Sequence, residues 1–247
     1  MSILEKARIE FIQVCNDRSI DLSRTVAVHP LLPHDAIGDA EEDFVIKKGK
    51  EYVIEAAFEK AHGQAFTGIA CQWNGTLEEL LSLKLSNIRN RGIFVASMNA
   101  VLRALGLARG TNHCRDEDPT NCGPEIAGQL EARFGTKRFG LVGLQPAILK
   151  ALVNRFTRKS VRVVDLNPDN IGSSKYGIEV WDGQSDLPRL VEWSEVGLVT
   201  GSSVVNGTID EIIRRFKDDK KPLVFFGNTI SGTAALLDID RICPFGR

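Results

Sequence analysis

No run of apolar residues in this sequence reaches the roughly 18 that a membrane-spanning helix needs. The first fifteen residues, MSILEKARIEFIQVC, also carry four charges and therefore lack the uninterrupted apolar core of a signal peptide. Their apolar residues fall at helical spacing, which predicts an amphipathic first helix. We expect a cytoplasmic protein without membrane contact, in which the five cysteines are reduced.

A long basic stretch is also missing. The 31 Lys and Arg residues nearly balance the 32 Asp and Glu residues, which leaves a net charge of -1. Proteins that bind nucleic acids or anionic membranes need a clustered positive surface. We therefore expect no nucleic-acid partner, and a small molecule or a metal as the ligand. Whether the chain forms a homo-oligomer stays open.

Several catalytic motifs are absent as well: a nucleophile elbow, a P-loop, H-E-x-x-H and paired C-x-x-C. The dinucleotide fingerprint G-x-G-x-x-G is reduced to its first glycine, Gly143, which disfavours the close approach of a pyrophosphate. An adenosine-type ligand such as S-adenosylmethionine remains an option, because it needs the ribose-binding acid but has no pyrophosphate. Asp165, 22 residues after Gly143, stands near the usual spacing of that acid.

The pattern of the chain changes near its middle. From Arg138 onward, strands alternate with helices, which predicts a mostly parallel sheet with flanking helices. Residues 1–75 are less regular, and VIEAAF favours a strand in a small α+β domain. We predict an N-terminal α+β domain over 1–75, a helical connecting region over 76–136 that packs on the C-terminal domain, and a parallel α/β domain over 137–247.

Three helix starts can be placed from local signals. Thr76 with Glu79, and Thr208 with Glu211, have the spacing of capping boxes. The segment PEIAGQLEARF predicts a helix that begins at Pro124.

Ligands of open parallel sheets bind beyond the carboxyl ends of the strands, where helix N-termini present free N–H groups. Four such loops occur here: the turns at Gly143 and Asp165, and the segments 200–208 and 227–232. The segment 200–208, TGSSVVNGT, is the most informative, because its glycines and small residues precede a helix start. Such a loop is also what any tight turn requires.

The segment TNHCRDEDPTNC (111–122) contains His113, Cys114 and Cys122 around an acidic run. Structural zinc wants four N or S ligands, whereas thiolates also suit Cu(I) and iron–sulfur clusters. Because neighbouring side chains diverge, the segment offers two good ligands and at most a third. Cys243 or Cys71 would complete a set only if the fold brings it near. A solvated polar loop is the favoured interpretation, and a reactive thiol pair is a further option.

Five segments resemble a family labelled putative heavy-metal chelation proteins, a domain of unknown function. They are GQAFTG, RGIFVASMNA, FGLVG, TGSSVVNGTID and LVFFGNT. The resemblance implies an N-terminal domain like that of enolases, a C-terminal Rossmann-like domain, and a ligand site in the cleft between them. Members more usually have Gly-Pro-Ser at 227–229. The cleft residues it implies are Thr67, Asn99, Gly143, Asp165, Thr200, Gly201, Ser202, Asn206, Gly207, Thr208, Gly227, Asn228 and Thr229.

Two functions follow from these observations. The first is a ligand-binding protein that holds a metal, or a metal-containing or anionic small molecule, in the interdomain cleft, with a transition metal as the candidate cofactor. The alternative is a transferase-like enzyme of cofactor metabolism that binds an adenosine-type cofactor at the Rossmann-like domain, on Asp165. No catalytic residue can be assigned from the sequence.

Overall fold

A computed structural model of the chain describes residues 1–38 and 51–247. The first part contains one sheet and the helices around it. Its strands are β1 (Thr25–Pro30), β2 (Tyr52–Phe58), β3 (Ala61–Thr67) and β4 (Trp73–Thr76). The helices are α1 (Ile3–Asp17), α2 (Pro33–Ile37), α3 (Leu77–Leu81), α4 (Ile88–Ala104) and α5 (Asp118–Phe134).

The second part alternates strands and helices. The strands are β5 (Phe139–Val142), β6 (Val161–Asp165), β7 (Ser174–Lys175), β8 (Ile178–Asp182), β9 (Val196–Thr200), β10 (Leu223–Phe226) and β11 (Arg241–Ile242). The helices are α6 (Pro146–Phe156), α7 (Leu187–Trp193), α8 (Ser203–Asn206), α9 (Ile209–Asp218) and α10 (Ser231–Leu237).

The N-terminal sheet is antiparallel, in the order β3-β2-β1-β4, and the predicted strand VIEAAF is β2. Helix α4 packs across β3 so closely that a Cβ atom on Gly63 would lie 2.2 Å from the backbone nitrogen of Ala100. Every α4 residue from Gly92 to Leu102 is buried, since other helices cover the side of α4 that faces away from the sheet. Helix α4 is therefore an internal layer between the two parts of the chain.

The second sheet has the order β11-β10-β9-β5-β6-β8-β7 and is parallel except at the β7–β8 edge. Numbered along the chain, its six parallel strands run 3-2-1-4-5-6, the order of Rossmann folds. Alternate residues of each strand enter two separate cores: Leu141 and Val163 face α5 and α6, whereas Val142 and Val164 face the opposite side. The predicted fold class, with an N-terminal α+β part and a mostly parallel C-terminal sheet, is confirmed. The domain boundaries stay a prediction.

Two of the predicted helix starts lie in the first part of the chain. Thr76 and Glu79 form both hydrogen bonds of a capping box, so this prediction is confirmed. The prediction that a helix begins at Pro124 is wrong, because α5 already begins at Asp118. Pro119 occupies the first turn of α5, where a missing N–H group costs nothing.

The predicted amphipathic first helix is α1, which buries Leu4, Ala7, Phe11 and Cys15. The acidic segment HDAIGDAEEDF (34–44) lies outside the described residues beyond Gly38. In the described parts of the chain, every helix is too short or too polar to span a bilayer.

Candidate functional site

A cleft with a volume of about 470 Å³ opens at the carboxyl ends of β5, β6, β9 and β10. It lies where the strand order reverses, between β5 and β9, which is where open α/β sheets bind ligands. We call the side formed by Gly143, Asp165 and the segments 200–208 and 227–229 the strand-end wall. The lining also includes His113, Cys114, Cys122 and Cys243, and we call this group the thiol wall.

Gly143 ends β5 with a φ of 90°, a conformation that favours glycine. A Cβ atom at this position would lie 2.5 Å from Cγ2 of Thr200, because β5 and β9 are paired neighbours. The turn after β5 and the loop after β9 therefore contact each other directly at the centre of the strand-end wall.

Asp165 fixes the same turn from the other side. Its carboxylate accepts hydrogen bonds from the backbone N–H groups of Leu144 at 2.6 Å and Asn167 at 2.8 Å, and from Asn170 Nδ2 at 3.1 Å. Both carboxylate oxygens therefore already have donors within the protein. The carboxylate lines the cleft, but its hydrogen bonds hold the Gly143 turn in place.

The segment 200–208 contributes small polar groups. The hydroxyls of Thr200 and Ser202 lie 3.0 Å apart, and Ser203 Oγ donates to the carbonyl oxygen of Thr200 at 2.8 Å. Helix α9 begins after Thr208, but the Thr208 side chain makes no capping hydrogen bond, so the predicted second capping box is wrong. The Glu211 carboxylate instead pairs with Arg215 one turn along the helix.

The third part of this wall, 227–229, connects the two sheets. Thr229 Oγ1 accepts from the backbone N–H of Phe66 at 3.0 Å, and Asn228 Nδ2 donates to the carbonyl oxygen of Thr111 at 3.2 Å. Asn228 is 1% exposed, and its Oδ1 has no hydrogen-bond partner. An acceptor that has lost both water and a partner costs about 1–3 kcal/mol.

Three predicted cleft residues do not line the cleft. Asn99 lies on α4 behind it and bridges the sheets, since its Nδ2 donates at 3.0 Å to the carbonyl oxygens of both Gln64 and Thr229. Thr67 Oγ1 accepts from the N–H of Ile69, and Gly207 packs against Arg91. The structure brings the other predicted residues together on the lining: Gly143, Asp165, Thr200, Gly201, Ser202, Asn206, Thr208, Gly227, Asn228 and Thr229.

The segment 111–122 is not a freely solvated loop. It forms backbone hydrogen bonds in both directions between Asn112 and Arg247, and the Arg247 guanidinium donates to Asp118 at 2.8 Å. Gln64 Oε1 accepts from the N–H of His113 at 2.8 Å. These contacts turn Cys114, which is 7% exposed, towards the cleft, while Cys122 lies on α5.

The two thiols of this segment influence each other's ionisation. Interaction with the Cys122 side chain lowers the pKa of Cys114, and interaction with the Cys114 side chain raises that of Cys122. Burial also raises the pKa of Cys122, and so does the negative charge of ionised Cys114 and Cys243. Cys243 lies beside β11 at the edge of the second sheet, so the fold does bring it to the same cleft. Cys243 is more than 100 residues from this segment in the sequence, and no sequence pattern indicates that the two approach each other.

His113 adds a neutral imidazole to the thiol wall. Burial lowers its pKa to about 4, so the ring is uncharged at neutral pH. Its Nδ1 is buried without a hydrogen-bond partner, and the ring packs against Phe66 with 5.2 Å between centroids. Within residues 1–38 and 51–247, however, no three His, Cys, Asp or Glu side chains converge closely enough to hold a metal ion together.

The charged residues that line the cleft are acidic: Glu51, Asp165 and Glu211, with no Lys or Arg among the described lining residues. Burial, together with the charge of Asp165, raises the pKa of Glu51 to about 7. Sequence reasoning missed Glu51, which follows a Lys-rich segment and has no motif around it. Because Glu211 pairs with Arg215 and Glu51 is partly protonated near pH 7, the lining is acidic but carries less negative charge than three free carboxylates would.

Part of the chain matches a known protein family, and two solved structures are similar to it. Residues 129–239 match DUF364, which is described as "Putative heavy-metal chelation". A DUF364 protein of unknown function from Pyrococcus horikoshii has a similar structure, with a TM-score of 0.55 at 14% identity over 92% of this chain and 80% of that chain. A second such protein, from Desulfitobacterium hafniense, gives 0.47 at 13% identity over 76% and 72%. No curated protein matches the chain.

At these identities the structural likeness shows the fold alone. The family match includes the whole strand-end wall and excludes residues 111–122 and Cys243. The predicted resemblance to the putative heavy-metal chelation family is confirmed over residues 129–239.

Proposed function

We propose that this protein binds a transition-metal ion, or a small molecule that contains one, in the cleft between the strand-end wall and the thiol wall. The observation that carries the proposal is that the thiols of Cys114, Cys122 and Cys243 line one cleft together with His113. Thiolates are ligands that soft and borderline metals prefer.

Three further features support the proposal. His113 presents an uncharged imidazole, the protonation state that a metal ligand needs. The acidic lining attracts cations, and the described lining offers an anion no Lys or Arg side chain. The family that matches residues 129–239 is described by metal chelation.

The alternative, an adenosine-type cofactor on Asp165, has less support. A ribose would have to donate its hydroxyl hydrogens to carboxylate oxygens that already accept three protein hydrogen bonds. Asp165→Asn is therefore expected to disturb the Gly143 turn and to leave metal binding by the thiols in place. Loss of nucleoside binding in this variant, measured by calorimetry, would favour the alternative instead.

The test is metal content, measured by elemental mass spectrometry on untagged protein that has been reduced, loaded anaerobically with Zn²⁺ or Co²⁺ and desalted. We expect close to one ion per wild-type chain. Cys114→Ser and Cys122→Ser should each lower metal affinity at least tenfold.

Cys71→Ser is the matched control, because Cys71 is also buried but lies outside the cleft lining. It should bind metal like the wild type. Wild-type protein that retains no metal after loading, or cysteine variants that retain as much as the wild type, would refute the proposal.

A further inference from the structure

A second surface feature lies outside the cleft, on the side of the second sheet that α7 covers. It is a shallow groove in which basic and aromatic side chains alternate. In order along the groove, the five side chains that we call the arginine–tryptophan row are Arg189, Trp181, Arg162, Trp193 and Arg138. None of them lines the cleft. The role of the row is therefore separate from that of the proposed metal site.

The topology of the second sheet explains why this surface is open. The connection between β6 and β8, residues 166–177, contains the short strand β7 but no helix. Helix α7, which follows β8, packs Leu190 into the core and leaves Arg189 exposed. Trp181 on β8 is 9% exposed, and the side chains of Arg162 and Arg189 lie over its ring. Arginine side chains, rather than a helix, therefore cover this part of the sheet.

Each tryptophan ring of the row has two guanidinium groups over it. The guanidinium carbons of Arg189 and Arg162 lie 3.9 Å and 5.9 Å from the centre of the Trp181 ring. Those of Arg162 and Arg138 lie 4.9 Å and 5.7 Å from the centre of the Trp193 ring. A guanidinium over an aromatic ring keeps its N–H edge available, and that edge matches a carboxylate with two parallel hydrogen bonds. The row therefore presents three anion-binding groups in a fixed order.

The positive charge of the row is only partly balanced. Arg138 Nε lies 3.4 Å from a carboxylate oxygen of Glu195. In the described part of the chain, Arg162 and Arg189 form no ion pair, and Arg162 donates instead to backbone carbonyl oxygens. Among the described residues that line the groove, Glu192 is the one acidic side chain. Three guanidiniums and one carboxylate favour an anionic partner.

The length of the row favours a peptide over a small anion. Two guanidiniums that share a ring are separated by at most the sum of their distances to its centre, which equals about three residues of an extended chain. Acidic side chains two or three residues apart can therefore bond to successive arginines.

The composition of the row also favours a protein over a nucleic acid. Tryptophan and arginine are the residues that most often dominate the binding energy of protein–protein interfaces. A nucleic acid would need a broad basic surface, whereas this chain has a net charge of -1.

We infer that the arginine–tryptophan row binds an extended acidic segment of a protein partner. Carboxylates of this segment pair with Arg189, Arg162 and Arg138, and its backbone lies against the half-buried ring of Trp193. The inference stands on a different surface from the proposed function and does not depend on it.

The test measures the binding of two fluorescein-labelled peptides to the full chain at low salt, by fluorescence anisotropy. One peptide repeats Glu-Gly-Gly three times, and the control peptide has Gln in place of each Glu. The glutamate peptide should bind at least about tenfold more tightly than the glutamine peptide. Its affinity should fall as NaCl is added, because exposed ion pairs are screened by salt.

Three substitutions of exposed residues locate the binding surface without threatening the fold. Arg189→Gln should lower the affinity for the glutamate peptide at least about fivefold, and Glu192→Gln should raise it about twofold. Arg155→Gln is the matched control, because Arg155 lies on α6 at the opposite side of the sheet and pairs with Glu131. It removes the same charge and should bind the peptide like the wild type.

Several results would overturn the inference. Equal affinity for the two peptides, or no binding of either at millimolar concentration, would show that the row does not recognise carboxylates. Equal losses in Arg189→Gln and Arg155→Gln would show a general attraction of charge instead of a site. A single-stranded oligonucleotide that binds more tightly than the glutamate peptide, with the same dependence on Arg189, would assign the row to nucleic acid. None of these results bears on metal binding in the cleft.

Discussion

The two walls of the cleft are built in different ways. The strand-end wall consists of turns that follow neighbouring parallel strands, and backbone hydrogen bonds and close contacts such as that of Gly143 with Thr200 fix it. The thiol wall is assembled from 111–122 and Cys243, which are far apart in sequence and meet only through tertiary contacts. The first wall presents backbone and hydroxyl hydrogen-bonding groups, and the second presents thiols and an imidazole. Hydrogen-bond recognition and metal affinity are therefore expected to respond to different substitutions.

Asn99→Ala tests the link between the β3 sheet and the strand-end wall and should have the largest effect. The variant loses the donors to Gln64 O and Thr229 O and the acceptor that Gly232 N uses at 2.7 Å. Leaving such buried groups unpaired should lower the free energy of unfolding by roughly 4 kcal/mol. Urea denaturation measures this change.

Asn90→Ala, in the first turn of the same helix, is the control and should cost about 1 kcal/mol, because its amide bonds an exposed carbonyl. Equal losses for the two variants would show that the Asn99 bridge does not join β3 to the strand-end wall.

Gly143→Ala acts on the strand-end wall alone. The positive φ and the contact with Thr200 should together cost about 3 kcal/mol of stability. Adding Thr200→Ser, which removes the clashing Cγ2, should recover part of that loss. Gly128→Ala, where a Cβ meets no atom within 4 Å, should instead be neutral or stabilising by up to about 1 kcal/mol. A Gly143→Ala variant as stable as the wild type would mean that the two turns do not touch in solution.

Glu51→Gln sharpens the comparison through the pH dependence of stability at the cleft lining. The pKa of Glu51 is raised from 4.5 to about 7 in the folded protein, so folding favours the protonated carboxyl. The contribution of Glu51 to the free energy of unfolding is therefore fully present below about pH 4.5, and it is lost as the pH rises to about 7. Gln mimics the protonated form.

Glu51→Gln should therefore be more stable than the wild type at pH 8, on the order of 2 kcal/mol, and equal to it at pH 4. Thermal denaturation across this range measures the difference. The exposed Glu10→Gln serves as a control and should stay within about 0.5 kcal/mol at both pH values. A pH-independent gap between Glu51→Gln and the wild type would contradict the raised pKa.

The smallest expected effect belongs to Thr208→Ala. Its side chain makes no capping bond, so the substitution should change stability by less than about 0.5 kcal/mol. Thr76→Ala, which breaks a complete capping box, should cost about 1 kcal/mol. Similar losses in chemical denaturation would mean that Thr208 caps its helix after all.

Much of the fold can be read from the sequence, because its signals are local. Alternation of strands and helices after Arg138 predicts the parallel sheet, and the carboxyl ends of its strands predict the strand-end wall. Local sequence patterns fail to predict the structure where one pattern is compatible with more than one arrangement. Thr208 and Glu211 have capping-box spacing, yet Glu211 pairs with Arg215 instead. Pro119 and Pro124 both suit a helix start, and the earlier one is used.

The thiol wall is harder to predict, since its chemistry depends on contacts between distant segments. The sequence identifies His113, Cys114 and Cys122 as potential ligands but favours a solvated loop. Burial of Cys114 and the approach of Cys243 follow from the pairing of Asn112 with Arg247, for which no local pattern exists. The raised pKa of Glu51 likewise arises only from the folded arrangement.

Helix α4 has a consequence for how the molecule melts. Its residues from Gly92 to Leu102 are buried between the two sheets, and Asn99 bonds to both of them. Neither sheet can lose this helix without exposing its own apolar surface to water. On heating, both sheets should therefore unfold together, in one cooperative calorimetric transition rather than two. A ligand that contacts only one wall would raise the melting temperature of the whole described chain.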